Sequence, residues 1–217
     1  MRHLIQTICC FSTLAIATAS YAAPASLSVQ VDGLADGAPV PDVLALCVST
    51  SDGRSGPGRN MRPAIHWSGA PKGTQSFAVF MVDPDVPADF TDAGKPGKII
   101  PAEAARRDFY HYAVVNIPAD TEQLAGGETG TPAPVGRELT NDLGSYVSTP
   151  TQFGGPCPPW NDKRLHHYHF RVLALPTATV NLPATTTAKQ AWQALSPKAL
   201  AMGQVTGTYT LNMPMKP

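Results

Sequence analysis

Residues 76–87 read Ser76-Phe77-Ala78-Val79-Phe80-Met81-Val82-Asp83-Pro84-Asp85-Val86-Pro87. An unbroken apolar run from Phe77 to Val82, bounded by turn residues, has the length and the β-branched and aromatic content of a buried strand. Asp83 ends it, because Pro84 donates no ladder hydrogen bond and restricts the residue before it. A carboxylate at the rim of a strand is placed to line a cleft. The competing reading makes Asp83 and Asp85 turn-formers that accept from nearby backbone amides.

Working outward, Ser26 to Val31, His111 to Ile117, His166 to Leu175 and Gly207 to Leu211 carry the same signature, each bounded by Pro, Gly, Asp or Asn. With 22 Pro and 18 Gly in 217 residues, turn residues punctuate short apolar runs, which excludes a helical bundle and reads as a mainly β domain. Helical turns are expected over Ala102 to Asp108, and a short pair over Thr187 to Met202 with Leu195 and Leu200 buried and Pro197 as a break. Leu124 to Gln152 shows no clear element, and a loop of that length in a compact domain is commonly functional. There is no internal repeat, coiled coil or low-complexity linker.

The chain opens with Arg2 and His3, then an apolar run from Leu4 to Ala19, then Ser20-Tyr21-Ala22-Ala23-Pro24. Small residues at Ser20 and Ala22 suit signal peptidase, so residues 1–22 read as a signal peptide cut after Ala22, leaving 23–217 as one exported domain, periplasmic or secreted. The alternative is an uncleaved anchor, for which the run is short against the roughly 20 residues of a span. Thr7-Ile8 before Cys9-Cys10 lacks the small residue that lipid attachment requires.

Lys plus Arg and Asp plus Glu both number 16, and Arg2 leaves with the signal. No basic excess remains to attract nucleic acid, so anion recognition must be local. Cys47 and Cys157 remain as an even pair in an oxidising compartment, and a disulfide is the economical reading over two buried thiols. Neither has a neighbour at CxxC spacing, which argues against a metal site.

Two further segments bear chemistry. In Phe109-Tyr110-His111-Tyr112-Ala113-Val114-Val115-Asn116-Ile117-Pro118, a period of two puts His111, Ala113, Val115 and Ile117 on one face, so His111 is either a structural core histidine or a ligand-binding one. The stretch Phe153-Gly154-Gly155-Pro156-Cys157-Pro158-Pro159 forms no regular ladder. Its glycines permit positive φ and close approach to a ligand, with loop amides making an anion-binding concavity. In the following strand His166, Tyr168, Phe170 and Val172 share one face, and His167, His169 and Arg171 the other, solvated one. His167 and His169 have the spacing of a weak metal chelate. Nucleophile-elbow and nucleotide-loop motifs are absent.

Taken in order, Asp83-Pro84-Asp85-Val86-Pro87, the 111–118 strand, and the Gly-Pro loop with Leu165-His166-His167-Tyr168 resemble the phosphatidylethanolamine-binding proteins, in particular the bacterial Raf kinase inhibitor-like branch. Arg59-Asn60, Pro63, Ile65, Trp67, Gly69-Ala70-Pro71, Gly73-Thr74 and Asn141-Asp142 with Gly144 extend the match over Leu27 to Leu211. The resemblance implies a central antiparallel sheet packed on a smaller one, with short helices near the C-terminus. It implies a small pocket for phosphate or phosphoryl-ethanolamine headgroups, formed by Asp83, Asp85, Pro87, His111, His166 and Tyr168 with Gly155, Pro156, Cys157 and Pro158 as a wall. No cofactor, catalytic residue or metal is implied. The chain departs from the pattern at Trp160-Asn161-Asp162-Lys163-Arg164, where Gly is usual before the Asp. The C-terminal helix at the pocket mouth of eukaryotic members has no match.

These residues suggest a mechanism. Asp83 beside His111 favours the imidazolium, which donates with the loop amides and Tyr168 to a phosphate oxygen, while a ligand ammonium rests near Asp83 or Asp85. Two rivals stand beside this binding protein. One is a phosphoester-acting enzyme with Asp83 as base and His111 or His166 as acid; the other is an inhibitor of a protease or kinase that docks through 124–152. The sequence does not decide between a monomer and a homodimer.

Overall fold

The computed structural model describes residues 25–147 and 149–215. The signal segment 1–22 and its cleavage point lie outside them. Eleven strands run in the order β1 (Ala25–Ser26), β2 (Ser28–Val31), β3 (Cys47–Ser49), β4 (Ser55–Pro57), β5 (Ile65–Ser68), β6 (Ser76–Pro87), β7 (Arg106–Pro118), β8 (Gln123–Leu124), β9 (Arg137–Glu138), β10 (His166–Leu175) and β11 (Ala201–Tyr209), with one helix, α1 (Ala188–Leu195), before the last. The main sheet has the order β1-β11-β10-β6-β7-β9, a smaller one the order β2-β5-β8, and β3 pairs with β4. Every ladder is antiparallel except β1 with β11.

The run from Phe77 to Val82 is continuous because both faces of β6 are covered. Phe77, Val79 and Met81 pack with Tyr112, Val114, Phe170 and Val172 toward Ile65 and Trp67 of the small sheet. Ala78, Phe80 and Val82 pack with Tyr110, Ala113, Val115, Leu173 and Leu175 toward Ala188, Ala191 and Leu195 of α1. The helix starts at a capping box, in which the Thr187 hydroxyl accepts from the Gln190 amide and the Gln190 side chain accepts from the Thr187 amide. It stops at the 3-10 turn Ser196–Lys198, where Pro197 cannot continue the ladder.

Several elements differ from the sequence reading. Ala102 to Asp108 holds no helix: a turn closes between Ala104 and Pro101, and β7 begins at Arg106. Strand β11 is displaced upstream of 207–211, and Leu200 is half-buried where Leu195 is buried. The segment 124–152 holds the end of edge strand β8, the edge strand β9 and a 3-10 turn at Gly144–Tyr146. The shared face of His111, Ala113, Val115 and Ile117 is broken by two bulges in β7. Met81 and Val82 pair with Tyr112 and Tyr110, so His111 is an extra residue, and a second irregularity lies between Val114 and Ile117, where Asn116 has φ of 60°. Ala113 and Val115 therefore face α1, whereas Ile117 faces the small sheet.

Candidate functional site

The bulge at His111 aims its ring along the Tyr112 side of the sheet, toward Tyr168 on β10, with ring centroids 5.3 Å apart. His111 Nδ1 donates to the Gly154 carbonyl at 2.9 Å. That bond fixes the tautomer and leaves Nε2, buried and without a protein partner, as a lone pair. Burial drives the His111 pKa below its ordinary value and the charge on His166 adds to this; Asp83, the bond to Gly154 and Asp142 oppose it. The Tyr168 hydroxyl is likewise buried with no partner in strict hydrogen-bonding geometry, although the Asp83 carboxylate and the Cys157 amide both lie close to it. Burial and then the charge and proximity of Asp83 push the phenol well above its ordinary range, against the pull of the Cys157 amide.

The charged histidine is the other one. His166 Nδ1 donates to Asp83 Oδ2 at 2.7 Å and Nε2 to Asp162 Oδ2 at 3.2 Å. Burial opposes the charge, but the bonds to the two carboxylates win and raise its pKa to about 9. Asp162 also accepts from Arg106, Nη1 at 2.5 Å and Nη2 at 3.0 Å, and from the Arg164 amide at 2.9 Å. Burial pushes the Asp162 carboxyl up, yet the bonds from His166 and Arg106 hold it below the usual value. The row Asp83, His166, Asp162, Arg106 thus alternates in sign and is neutral as a unit. The pairing of Asp83 with His111 and the imidazolium at 111 do not hold, because Asp83 is spent on His166.

Asp83, His111, His166 and Tyr168 are the polar lining of a cavity of about 270 Å³, walled by Leu46, Val86, Phe109 and Leu143, with Phe90, Tyr146 and Trp160 among its aromatic lining; Asp162 and Arg106 lie behind His166. Of the expected residues, Asp83, His111, Cys157, Pro158, His166 and Tyr168 line it; Asp85, Pro87, Gly155 and Pro156 do not. Asp85 turns to the far side, accepting from Arg164 Nε at 2.8 Å and His167 Nδ1 at 2.7 Å, and its own amide donates to Asp83 Oδ1 at 2.7 Å. Pro87 ends β6 in register with Arg106. Asp85 therefore orients Asp83 without facing the cavity.

The Gly-Pro loop brings the Cys157 amide to the Tyr168 hydroxyl in the cavity, but few of its other amides are free to face a ligand. Gly155 N–H donates to Asn60 Oδ1 at 2.7 Å, and Pro156, Pro158 and Pro159 have no N–H. Neither Gly154 nor Gly155 lies at positive φ. Their missing side chains serve packing: a Cβ on Gly155 would stand 1.8 Å from the Leu44 carbonyl oxygen, and one on Gly154 2.0 Å from Leu143 Cδ1. Asn60, at φ 52°, also donates to the Phe153 carbonyl at 3.1 Å. Asn141 Nδ2 ties the His111 carbonyl at 3.2 Å to that of Gln152 at 2.7 Å. The Cys47–Cys157 disulfide pins the far end of the loop to β3.

Sequence reading missed Asp162, Arg106 and the aromatic wall. Asp162 precedes His166 by four residues, a signal hidden in an irregular loop; Phe90, Tyr146 and Trp160 converge from three loops with no pattern to connect them. His167 and His169 are engaged by Asp85 and Thr206, and no group of three or more His, Cys, Asp or Glu among the described residues is arranged to hold a metal ion.

The phosphatidylethanolamine-binding protein family model matches residues 32–210. UPF0098 protein YbcL of Escherichia coli is 36% identical over 158 residues, covering 71% of this chain and 74% of that protein. The crystal structure of E. coli YbcL, described as a new member of the mammalian PEBP family, superposes with a TM-score of 0.65 at 27% identity over 86% of this chain and 99% of its own. LppC of Mycobacterium tuberculosis, described as a lipoprotein, is 28% identical over 91% of this chain and 79% of its own length. The chain belongs to the phosphatidylethanolamine-binding protein family, in its bacterial branch.

Proposed function

We propose that this protein is an exported binding protein whose cavity holds an anionic or zwitterionic headgroup of the phosphoryl-ethanolamine kind. The observation that carries the reading is the pair of buried, unpartnered polar atoms on one cavity, His111 Nε2 and Tyr168 Oη. Buried polar groups left without partners cost roughly 1–3 kcal/mol each, so a ligand that supplies both bonds recovers that cost on binding. Tyr168 donates to a ligand oxygen, and His111 is the second contact. The aromatic face of Trp160 in the lining suits the ammonium end. Against phosphoester cleavage stands the engagement of the proposed base: Asp83 accepts from His166, whose second nitrogen is held by Asp162. Export is supported by the signal-like residues 1–22 and by the disulfide.

The test is calorimetric titration with phosphoethanolamine of the wild type, Tyr168→Phe and His169→Ala. The wild type and His169→Ala bind alike, and Tyr168→Phe binds on the order of tenfold more weakly. Absence of binding at millimolar ligand, or an unchanged affinity in Tyr168→Phe, overturns the reading.

A further inference from the structure

Resting on the headgroup reading, we infer that the cavity selects ligands that bring an acidic proton of their own, so that a phosphomonoester is held as its monoanion in preference to a phosphodiester such as an intact phospholipid headgroup. Three observations carry this. The Gly154 carbonyl takes the only proton of a neutral His111, at Nδ1, and so presents Nε2 to the cavity as an acceptor. No Lys or Arg side chain lines the cavity among the described residues. The cations beneath it are already spent, His166 between Asp83 and Asp162 and Arg106 on Asp162.

The groups that face His111 come from every side. Asp83 on β6, His166 and Tyr168 on β10 and Asp142 beyond β9 surround it, with the Phe109 ring of its own strand tilted against it at 5.0 Å. Asp142 is itself tied to the Tyr110 amide at 2.8 Å. Asp83, Asp142 and Asp162 thus stand against His166 and Arg106, with Arg107 turned onto the Phe90 and Phe109 rings, so the shell carries no net positive charge to hold a dianion. A bare dianion would place one oxygen lone pair against the Nε2 lone pair. A monoanion avoids this: its P–O–H donates to Nε2 while a P–O⁻ oxygen accepts from the Tyr168 hydroxyl. A dianion reaching the site takes one proton from solvent, giving the same bound species, with charge and protons balanced. A diester has no such proton. It either leaves Nε2 facing an oxygen or requires protonation of an imidazole that burial keeps neutral.

The experiment compares methyl phosphate with dimethyl phosphate by calorimetry at about pH 6, where roughly half of a monoester carries its second proton. Methyl phosphate is expected to bind on the order of tenfold more tightly. At about pH 7.5, where the free monoester is mostly dianion, titration in two buffers of different ionisation enthalpy is expected to show uptake of roughly one proton per ligand. His111→Gln, whose amide both donates and accepts at any pH, is expected to bring the two ligands level, which a merely steric rejection of the extra methyl group would not do. Equal affinity in the wild type, or monoester binding at the higher pH without proton uptake, overturns the inference and leaves the headgroup reading standing. Failure of both ligands to bind removes that reading and the inference with it. The wild-type comparison decides the matter even if His111→Gln does not fold.

Discussion

His166 Nδ1 donates to Asp83 Oδ2 at 2.7 Å, joining the first residue of β10 to the carboxylate beyond the apolar run of β6, with both side chains closed to solvent. Because this bond and its counterpart to Asp162 raise the His166 pKa to about 9, the folded protein holds a proton that the unfolded chain releases near its ordinary pKa of about 6.5. The stabilisation is therefore fully present below about pH 6.5 and is lost as pH rises through about 9, at roughly 1.4 kcal/mol per unit between them. Melting temperatures recorded from neutral to alkaline pH should fall across that window. His166→Asn should start lower and show no such slope.

Asp162→Asn leaves Arg106 and His166 as buried cations without their shared acceptor. Breaking a buried pair from one side costs about 3–5 kcal/mol. Arg106 keeps carbonyl acceptors at Asp85 and Pro101, which places the expected loss at the lower end of that range. Urea unfolding measures it, and the alkaline loss of stability should move to lower pH in the same variant.

Asn60 is required twice, for its side-chain amide and for its backbone. Asn60→Ala strands the Gly155 N–H and the Phe153 carbonyl and keeps a Cβ at φ 52°, a loss of about 2–3 kcal/mol. Asn60→Gly strands the same groups but relieves the left-handed backbone, worth about 1 kcal/mol. Chemical denaturation should rank wild type, Gly variant, Ala variant in falling order.

Cys47 and Cys157 are 110 residues apart, and closing a loop of that length stabilises by about 4–5 kcal/mol in the chain-entropy model. Reduction, or Cys47→Ser with Cys157→Ser, should lower the urea midpoint accordingly. It should also weaken ligand binding, since Cys157 and Pro158 line the cavity. A ligand affinity unchanged by reduction would show that the wall holds its place without the crosslink.

The local strands were largely legible in the sequence, and the pairings across the site were not. His166–Leu175 appears with its full extent, because alternation is clean from His166 to Val172. Strand β6 runs past Pro84 because that proline sits in the irregularity between Asp83 and Val86, where no ladder donor is needed. The upstream part of β11, before Gly207, escaped because two of the buried positions of the strand are glycines: a Cβ at Gly203 would stand 2.4 Å from the Leu27 carbonyl oxygen, and one at Gly207 2.4 Å from Val40 Cγ2. Alternation survives there in burial but not in hydropathy. At the site, Asp83, His111, His166 and Tyr168 were readable as types at strand ends. Which carboxylate meets which imidazole depends on a bulge that periodicity does not reveal.

That bulge sets different rules for changing and for removing residue 111. Since His111 is an extra residue in the ladder, the strands on either side do not need its side chain for their register. Exchanging it alters what the cavity offers a ligand and leaves the sheet aligned. Deleting it would slide Phe109 and the residues before it one step along β6, turning Phe109 and Arg107 to opposite faces. Exchange and deletion at this one position are therefore separable perturbations, the first rewriting the lining of the cavity and the second the alignment of the strand that carries it.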